Sequence, residues 1–427
     1  MPKVQKSSQR ITPFSGVCFT DEAFNQTGLS QLIDTELGIR SVLYGYQYSD
    51  IFRTIFNIFY CGGQCMEDVQ THLRPALESI PDNRVPSADT LLRGIKELAT
   101  ENTEIVSSSG NSYDFNINER MSTLNLKSLL LTGQIKEEGS YDFDYDNQII
   151  EHEKYDAKRT YKHNSGYFPG VASIGNMVVY LENRAGNANV KTAQSRTLER
   201  AYKLLEDNHV KVNRSRMDAG SYSEDIVKTV ARHSRLFYIR ANRCETLTER
   251  IREIDDWQPV EINYKNYQAA YLLFTSFLEE KGYRLVIMRE KNTDGQLDLF
   301  TGDHFIYRSI LTNDHQSTEK DVIEYYNQRG ASEKLFDIQN NDFGWKHLPC
   351  SDMNHNTVYL MITAMVKNFY NWLIEKISNV FTDLLPTSRL KRFIFRFITV
   401  SGKWMKQGRQ WILKLYTDRP YEKLKFV

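Results

Sequence analysis

The sequence predicts an α/β protein: a mixed sheet with helices, interrupted by a β-strand-rich insertion and framed by a helical N-terminal region and a basic C-terminal region. Three observations carry this. From Gly139 onward, segments of period 2 alternate with segments of helical period in the order β-β-β-α-β-α-β. From about residue 245 that rhythm gives way to short strand-like runs separated by turn residues. The charge is unevenly placed: the 427 residues balance 54 Lys and Arg against 54 Asp and Glu, yet Thr387–Val427 alone carries a net +9.

Taken in order, residues 1 to about 20 read as an unstructured basic arm. The stretch from Asp21 to about Leu131 is mostly helical in pattern, with Ser49-Asp50 and Ser87-Ala88-Asp89 placed as N-caps before apolar runs. Cys61 and Cys65 are spaced C-x3-C with no second pair, which does not make a zinc site. Ser140–Tyr145 alternates as a strand. Gly166–Ile174 and Met177–Asn183 follow as two more around Gly175-Asn176. Thr192–Asn208 reads as helix, Val210–Met217 as strand, Ser223–His233 as helix and Leu236–Ala241 as strand. The insertion holds runs at Val260–Tyr264, Ala269–Phe277, Tyr283–Arg289 and His304–Leu311, with Asn292-Thr293-Asp294-Gly295 as a turn cluster. A helix beginning at Thr318 runs past Glu333, and another spans about Asn354–Phe381. Pro386 marks a boundary, after which Arg392–Val400 and Gln410–Tyr416 predict a terminal β-hairpin around Ser401-Gly402. The resulting segments are 1–135, 136–244, 245–317, 318–385 and 386–427.

Composition narrows the function classes. The 41% hydrophobic and 12% aromatic content excludes a disordered or collagen-like chain. No apolar run approaches the roughly 18 residues that a membrane-spanning helix needs, and Met1–Gln9 lacks the apolar core of a secretory signal. Five cysteines form no disulfide framework and indicate a reducing compartment. The basic tail interleaves Phe393, Phe395, Phe397, Trp404, Trp411 and Tyr416 with its charges, a composition that suits either a polyanion or a solvated surface.

Several acids sit where chemistry is done. Asp142 and Asp144 lie two apart on one strand face, although Asp is depleted in strands. Asp218 ends the strand Val210–Met217 at a turn before Ala219-Gly220, a natural site position in an open sheet, though also an ordinary capping position. Tyr326, Arg329 and Glu333 fall within roughly 60° of one another on a helical wheel. The nine histidines show no metal-ligand spacing, His152 and His163 being eleven apart.

These residues resemble a family. Tyr326, Arg329 and Glu333 match the Tyr-x2-Arg-x3-Glu-x6-Lys signature of bacterial insertion-sequence DDE transposases, with Asn340 standing at the Lys position and neither Asn341 nor Lys346 restoring it. The segments YDFDYD, RMDAGSYSEDIV and NDFGWKHLP resemble its two Asp-bearing strands and the stretch after its Glu, specifically in transposases of the insertion-sequence 1380 type. The resemblance covers about residues 10–420 and implies a ribonuclease-H-like catalytic core. It implies Asp144, Asp218 and Glu333 as a metal-holding catalytic triad, with Asp142 as the alternative first acid and Asp337 as a rival third. It implies two Mg²⁺ ions, for which Mn²⁺ substitutes, and in-line phosphoryl transfer. It further implies a homodimer that binds double-stranded DNA, both terminal inverted repeats and target, in the bacterial cytoplasm at the nucleoid and away from any membrane. Arg329 would bind a phosphate and Tyr326 would lie beside it. Trp257, in the insertion, is either a wedge for a flipped base in hairpin formation or a core residue. Lys391, Arg392 and Arg396 would contact DNA, and Lys162, His163 and Arg184 its backbone. The competing readings are a non-catalytic DNA-binding protein on the same scaffold and a metal-dependent nuclease that does not join.

Overall fold

The computed structural model of the chain describes residues 2–5, 8–41, 43, 45–107, 109–242, 245–277, 282–292, 297 and 304–426. The predicted turn at 292–295 lies largely outside the described residues. The N-terminal part is helical: α1 (Val17–Gln26), α2 (Leu29–Leu37), α3 (Tyr48–Tyr60), α4 (Arg74–Leu77) and α5 (Ala88–Glu97). The basic arm is shorter than expected, since Thr12 and Phe14 already bridge to Gly402 and Val400. Helix α3 reads YSDIFRTIFNIFY, and every residue but Arg53 is buried, so it is a core helix rather than an amphipathic surface one. Its start lies two residues earlier than predicted: Gln47 is the N-cap, and Asp50 closes a capping box. Ser87 caps α5 as expected, accepting from Thr90 N at 3.3 Å.

Two strands that the helical reading missed follow, β1 (Thr103–Val106) and β2 (Ser112–Asn116), then α6 (Glu119–Leu131). The chain next forms β3 (Ser140–Asn147), the short β4 (Ile150–Glu151), β5 (Lys158–Arg159) and β6 (Ser165–Tyr167), then β7 (Gly170–Ile174) and β8 (Met177–Arg184). Gly175 supplies the left-handed turn between β7 and β8, with φ +59°. After α7 (Gln194–Asp207), β9 (Lys211–Met217), α8 (Glu224–His233) and β10 (Leu236–Arg240) complete the predicted alternation. The strand order β8-β7-β3-β9-β10, with β3, β9 and β10 parallel and β7 and β8 antiparallel, forms the centre of one eleven-stranded sheet.

The insertion begins with a helix, α9 (Glu245–Arg252), and then contributes β11 (Gln258–Ile262), β12 (Lys265–Phe274), β13 (Tyr283–Lys291) and β14 (Phe305–Thr312). It extends the central sheet, because β14 pairs antiparallel with β10. The run Arg284–Met288 in β13 is buried at every position, as expected of a strand covered on both faces. Leu285, Ile287 and Leu311 join Phe143, Tyr202 and Val227 in one core. Val286, Met288 and Ile310 join Val322, Ile323, Tyr325 and Tyr326 of α10 (Glu319–Asn327) in the other.

Helix α11 (Ala331–Asp342) is separated from α10 by one tight turn at Gln328–Gly330, so the long predicted helix is broken there. Helix α12 (Met353–Ser378) lies in the core with α3, α5 and α6 and spans one end of β8. Asn368 ties it to that strand, donating to Val178 O at 2.8 Å and accepting from Val178 N at 3.1 Å. The predicted strand at Arg392–Val400 is instead helical, α13 (Leu390–Phe393) running into a wider turn through Ile398. Leu390, Phe393, Phe397 and Ile398 fall on one helical stripe and are buried in the core, which overrides their β propensity. The terminal hairpin is β15 (Gly402–Gln407) and β16 (Gln410–Leu415), turning at Gly408 with φ +62°.

Candidate active site

On β3, Phe143 and Tyr145 point into one core, which sends Asp142, Asp144 and Asp146 to the opposite face. Strand β9 answers in register: Asp142 lies opposite Arg214 and Asp144 opposite Arg216. Both rungs are bidentate ion pairs, at 2.9 and 2.6 Å for Asp142 and 2.7 Å for both contacts of Asp144. The two guanidinium groups lie over the Tyr325 ring, and Arg216 also donates to Tyr325 O at 3.0 Å. The ladder between the two strands ends at Tyr145 opposite Met217, and the next residues along the two chains are Asp146 and Asp218. There the alternation of acid against base becomes acid against acid.

Like charges directly across a strand pair destabilise it unless a cation intervenes. Arg329 supplies one positive charge, donating from Nη1 to Asp146 Oδ2 at 2.7 Å. Asp146 also accepts from Asn147 N at 2.9 Å. Burial pushes the Asp146 carboxyl up to about 6, with the Asp218 charge adding to the rise and Arg329 opposing it. Asp218 accepts from Gly220 N at 3.0 Å and caps the turn Ala219–Ser221. A Cβ on Gly220 would lie 3.0 Å from Asp218 Oδ1 and 2.9 Å from Val190, so a residue without a side chain lets the carboxylate fold over the turn. Buried Tyr326 closes the other side, its hydroxyl within the field of Arg329, Arg240 and Asp218.

Asp146 and Asp218 are therefore the acids that the fold brings together, at the carboxyl ends of adjacent parallel strands. Asp144, the first acid of the expected triad, is 3% exposed with both oxygens taken by Arg216, and the alternative Asp142 is likewise held by Arg214. The signal for Asp146 is present in the sequence: D-x-D-x-D at 142–146 set against R-x-R-x-D at 214–218 leaves only the last pair uncompensated.

Glu333 lies in the first turn of α11 and is exposed, with no hydrogen bond or ion pair to a described residue. A tight turn at Gln328–Gly330, which carries Arg329, lies between Tyr326 at the end of α10 and Glu333 at the start of α11. Asp337 is committed elsewhere, accepting from Asn341 at 2.6 Å and Arg389 at 2.7 Å. Among the described residues no three His, Cys, Asp or Glu side chains are grouped closely enough to hold a metal ion. Asp146 and Asp218 nonetheless fit a hard divalent cation: they are oxygen donors with two negative charges answered by the single Arg329.

The remaining sequence candidates are spread over the molecule. Trp257 is half-buried, donates to Ile254 O at 2.9 Å and carries the Arg289 guanidinium 3.9 Å from its ring centre. Lys391 and Arg392 are exposed, Arg392 donating to Asp383 O at 2.7 Å, and Arg396 stands 3.9 Å from the Asp383 carboxylate. Arg184 is no surface contact. It is fully buried, donating to Val190 O, Tyr145 Oη and Thr197 Oγ1, with its guanidinium over Phe115.

Comparison with known proteins bears on the chain as a whole. A search of curated proteins finds no match. Among solved structures, the cryo-EM structure of a piggyBac transposase synaptic complex with hairpin DNA is similar at 11% identity and a TM-score of 0.47, covering 90% of this chain and 80% of that one. The family model described as transposase DDE domain group 1 matches residues 3–425. Since that match spans nearly the whole sequence, the chain belongs to this family and is a DDE-type transposase.

Proposed function

We propose that the protein is a cut-and-paste transposase of the insertion-sequence 1380 type, acting in the bacterial cytoplasm at the nucleoid. It binds the terminal inverted repeats of its element, cleaves the ends and joins them to target DNA. The observation that carries this reading is a pair of carboxylates at the carboxyl ends of adjacent parallel strands, Asp146 and Asp218, with the single arginine Arg329 beside them.

In this reading Asp146 takes the place first given to Asp144, and Asp218 and Glu333 complete the acid set. A pair of Mg²⁺ ions, for which Mn²⁺ substitutes, would activate the attacking oxygen and stabilise the leaving one. Asp146 and Asp218 would hold the cation, fixed by β3 and by the turn after β9. Arg329, pinned by Asp146, presents its remaining N–H groups to a phosphate. Tyr326, set against the sheet by α10, walls the site. Lys391, Arg392 and Arg396 contact the DNA backbone, and a homodimer brings two ends together.

The test uses duplex DNA from both ends of the genetic element that encodes the chain, Mg²⁺ and a target plasmid. Wild-type protein is compared with Asp146→Asn, Asp218→Asn and Glu333→Gln. Joined products that all three substitutions abolish support the proposal. Cleavage without joining would make the protein a nuclease, and binding with neither product would leave it a DNA-binding protein on this scaffold.

A further inference from the structure

The basic tail divides into committed and uncommitted charges. Arg389 is held by Asp337 and Asp342, while Arg396 and Arg419 flank Asp383. In contrast, Lys391, Lys403, Lys406, Arg409, Lys414, Lys423 and Lys425 have no ion pair with any described residue, and four of them, Lys403, Lys406, Arg409 and Lys414, are gathered on the hairpin β15–β16 or its turn.

The register of that hairpin sorts its side chains. Cross-strand partners share a face, and faces alternate along each strand. One face bears Gly402 with Leu415, Trp404 with Leu413, and Lys406 with Trp411. This face turns toward the body: Leu415 packs against the core, and Gly402, Trp404 and Trp411 line a groove with Arg10, Ile11 and Pro75. The other face bears Lys403 with Lys414, Met405 with Ile412, and Gln407 with Gln410 at the tip. Two lysines directly opposite each other repel, and no acid of the described chain relieves them. The hairpin belongs to no larger sheet, and Gln407, Arg409, Gln410 and Lys414 are exposed.

We propose that β15–β16 is a two-stranded ribbon that enters the major groove of duplex DNA, with Lys403 and Lys414 on the phosphates and Gln407, Arg409 and Gln410 at the base edges. The dimensions agree. Strands of six residues extend about 20 Å at about 3.4 Å per residue and lie about 4.8 Å apart, and the major groove, about 12 Å wide, admits such a ribbon. The paired lysines supply charge without sequence information. The tip amides offer a donor and an acceptor each, the combination that reads adenine, and Arg409 offers the donors that read guanine. The inference rests on the transposase reading and adds which surface meets the DNA and which residues discriminate sequence.

Binding of the full chain to a fluorescein-labelled 30-bp mixed-sequence duplex is followed by anisotropy from 50 to 200 mM NaCl. Each phosphate contact contributes about 0.9 to the slope of log affinity against log salt. Lys403→Ala with Lys414→Ala is expected to lower that slope by about 1.8, so that the loss of affinity at 50 mM exceeds that at 200 mM by about twelvefold. Lys403→Arg with Lys414→Arg is expected to keep the wild-type slope, and matching thermal midpoints show that the variants are folded. Gln407→Ala with Gln410→Ala is expected to keep the slope but change the sequences recovered from a duplex pool with a randomised 20-bp centre. Wild-type binding with an unchanged slope in the lysine-to-alanine pair would overturn the ribbon while leaving the transposase reading intact. No salt-dependent binding by the wild-type chain would overturn both, and identical selected sequences would remove the tip from recognition.

Discussion

Lys367 lies in α12, 1% exposed, and its Nζ has no hydrogen-bond partner among the described residues. Burial alone pulls its ammonium down from 10.5 to about 7. Each pH unit between those values is worth about 1.4 kcal/mol, so protonated Lys367 costs the folded protein roughly 5 kcal/mol at pH 6. Between pH 7 and 10.5 the unfolded chain keeps the proton and the folded chain does not, so stability rises with pH across that window, and the cost vanishes above it. Methionine fills a similar unbranched volume without charge. Lys367→Met is therefore expected to stabilise the protein by several kcal/mol at pH 6, the gain shrinking steadily toward zero by about pH 10.5. Urea midpoints of wild type and variant at pH 6, 8 and 10 measure this difference. A gap between the two proteins that does not change with pH, or a variant less stable at pH 6, would refute the reasoning.

Asp144→Asn strands buried Arg216 and is expected to cost about 3–5 kcal/mol of stability. Asp146→Asn relieves repulsion with Asp218 and is expected to leave the thermal midpoint unchanged or higher while abolishing cleavage, so scanning both variants by differential fluorimetry alongside the cleavage assay separates a structural acid from a catalytic one. Arg184→Met leaves the Tyr145 and Thr197 hydroxyls without their donor and is expected to destabilise by about 3 kcal/mol with no change in DNA affinity, checked by urea titration and anisotropy. Burial pushes the Asp21 carboxyl up to about 6, so the folded chain takes up a proton between pH 6 and 4 that the unfolded chain does not. Asp21→Asn, still able to accept from Asn57, is expected to gain up to about 3 kcal/mol above pH 6 and nothing near pH 4, read as urea midpoints at pH 4 and 7.

The central strands were legible from local pattern: alternation in Ser140–Asn147 and apolar runs in β7 and β8. Strands β1 and β2 were not, since they are only four and five residues long, β1 is largely exposed at the edge of the sheet, and of β2 only Phe115 and Asn116 are buried. The segment from Leu390 to Ile398 misled because aromatic and branched residues favour strands in isolation, whereas the stripe they form finds a core only as helix. Within the site, Asp218, Tyr326 and Arg329 could be picked out by motif and spacing. Asp146 required the register of β3 against β9, a relation between segments about 70 residues apart that no local pattern encodes. The tight turn at Gln328–Gly330 between α10 and α11 is equally invisible to a helical wheel that assumes one uninterrupted helix.

One apolar core holds Val17 and Phe24 of α1, nearly all of α3, most of α12, and Tyr421 and Phe426 near the end of the chain. Tyr60 donates to Val366 O across 306 positions. During synthesis the first hundred residues therefore emerge with their apolar helix faces uncovered and wait for α12, more than 250 residues later, before they can be sealed. Closure that depends on such distant partners is slow, and a truncated chain ending before α12 would expose α3 to water. The N-terminal helices cannot be excised as a self-standing module, and a chain ending before α12 is expected to aggregate or be degraded instead of competing with the intact enzyme.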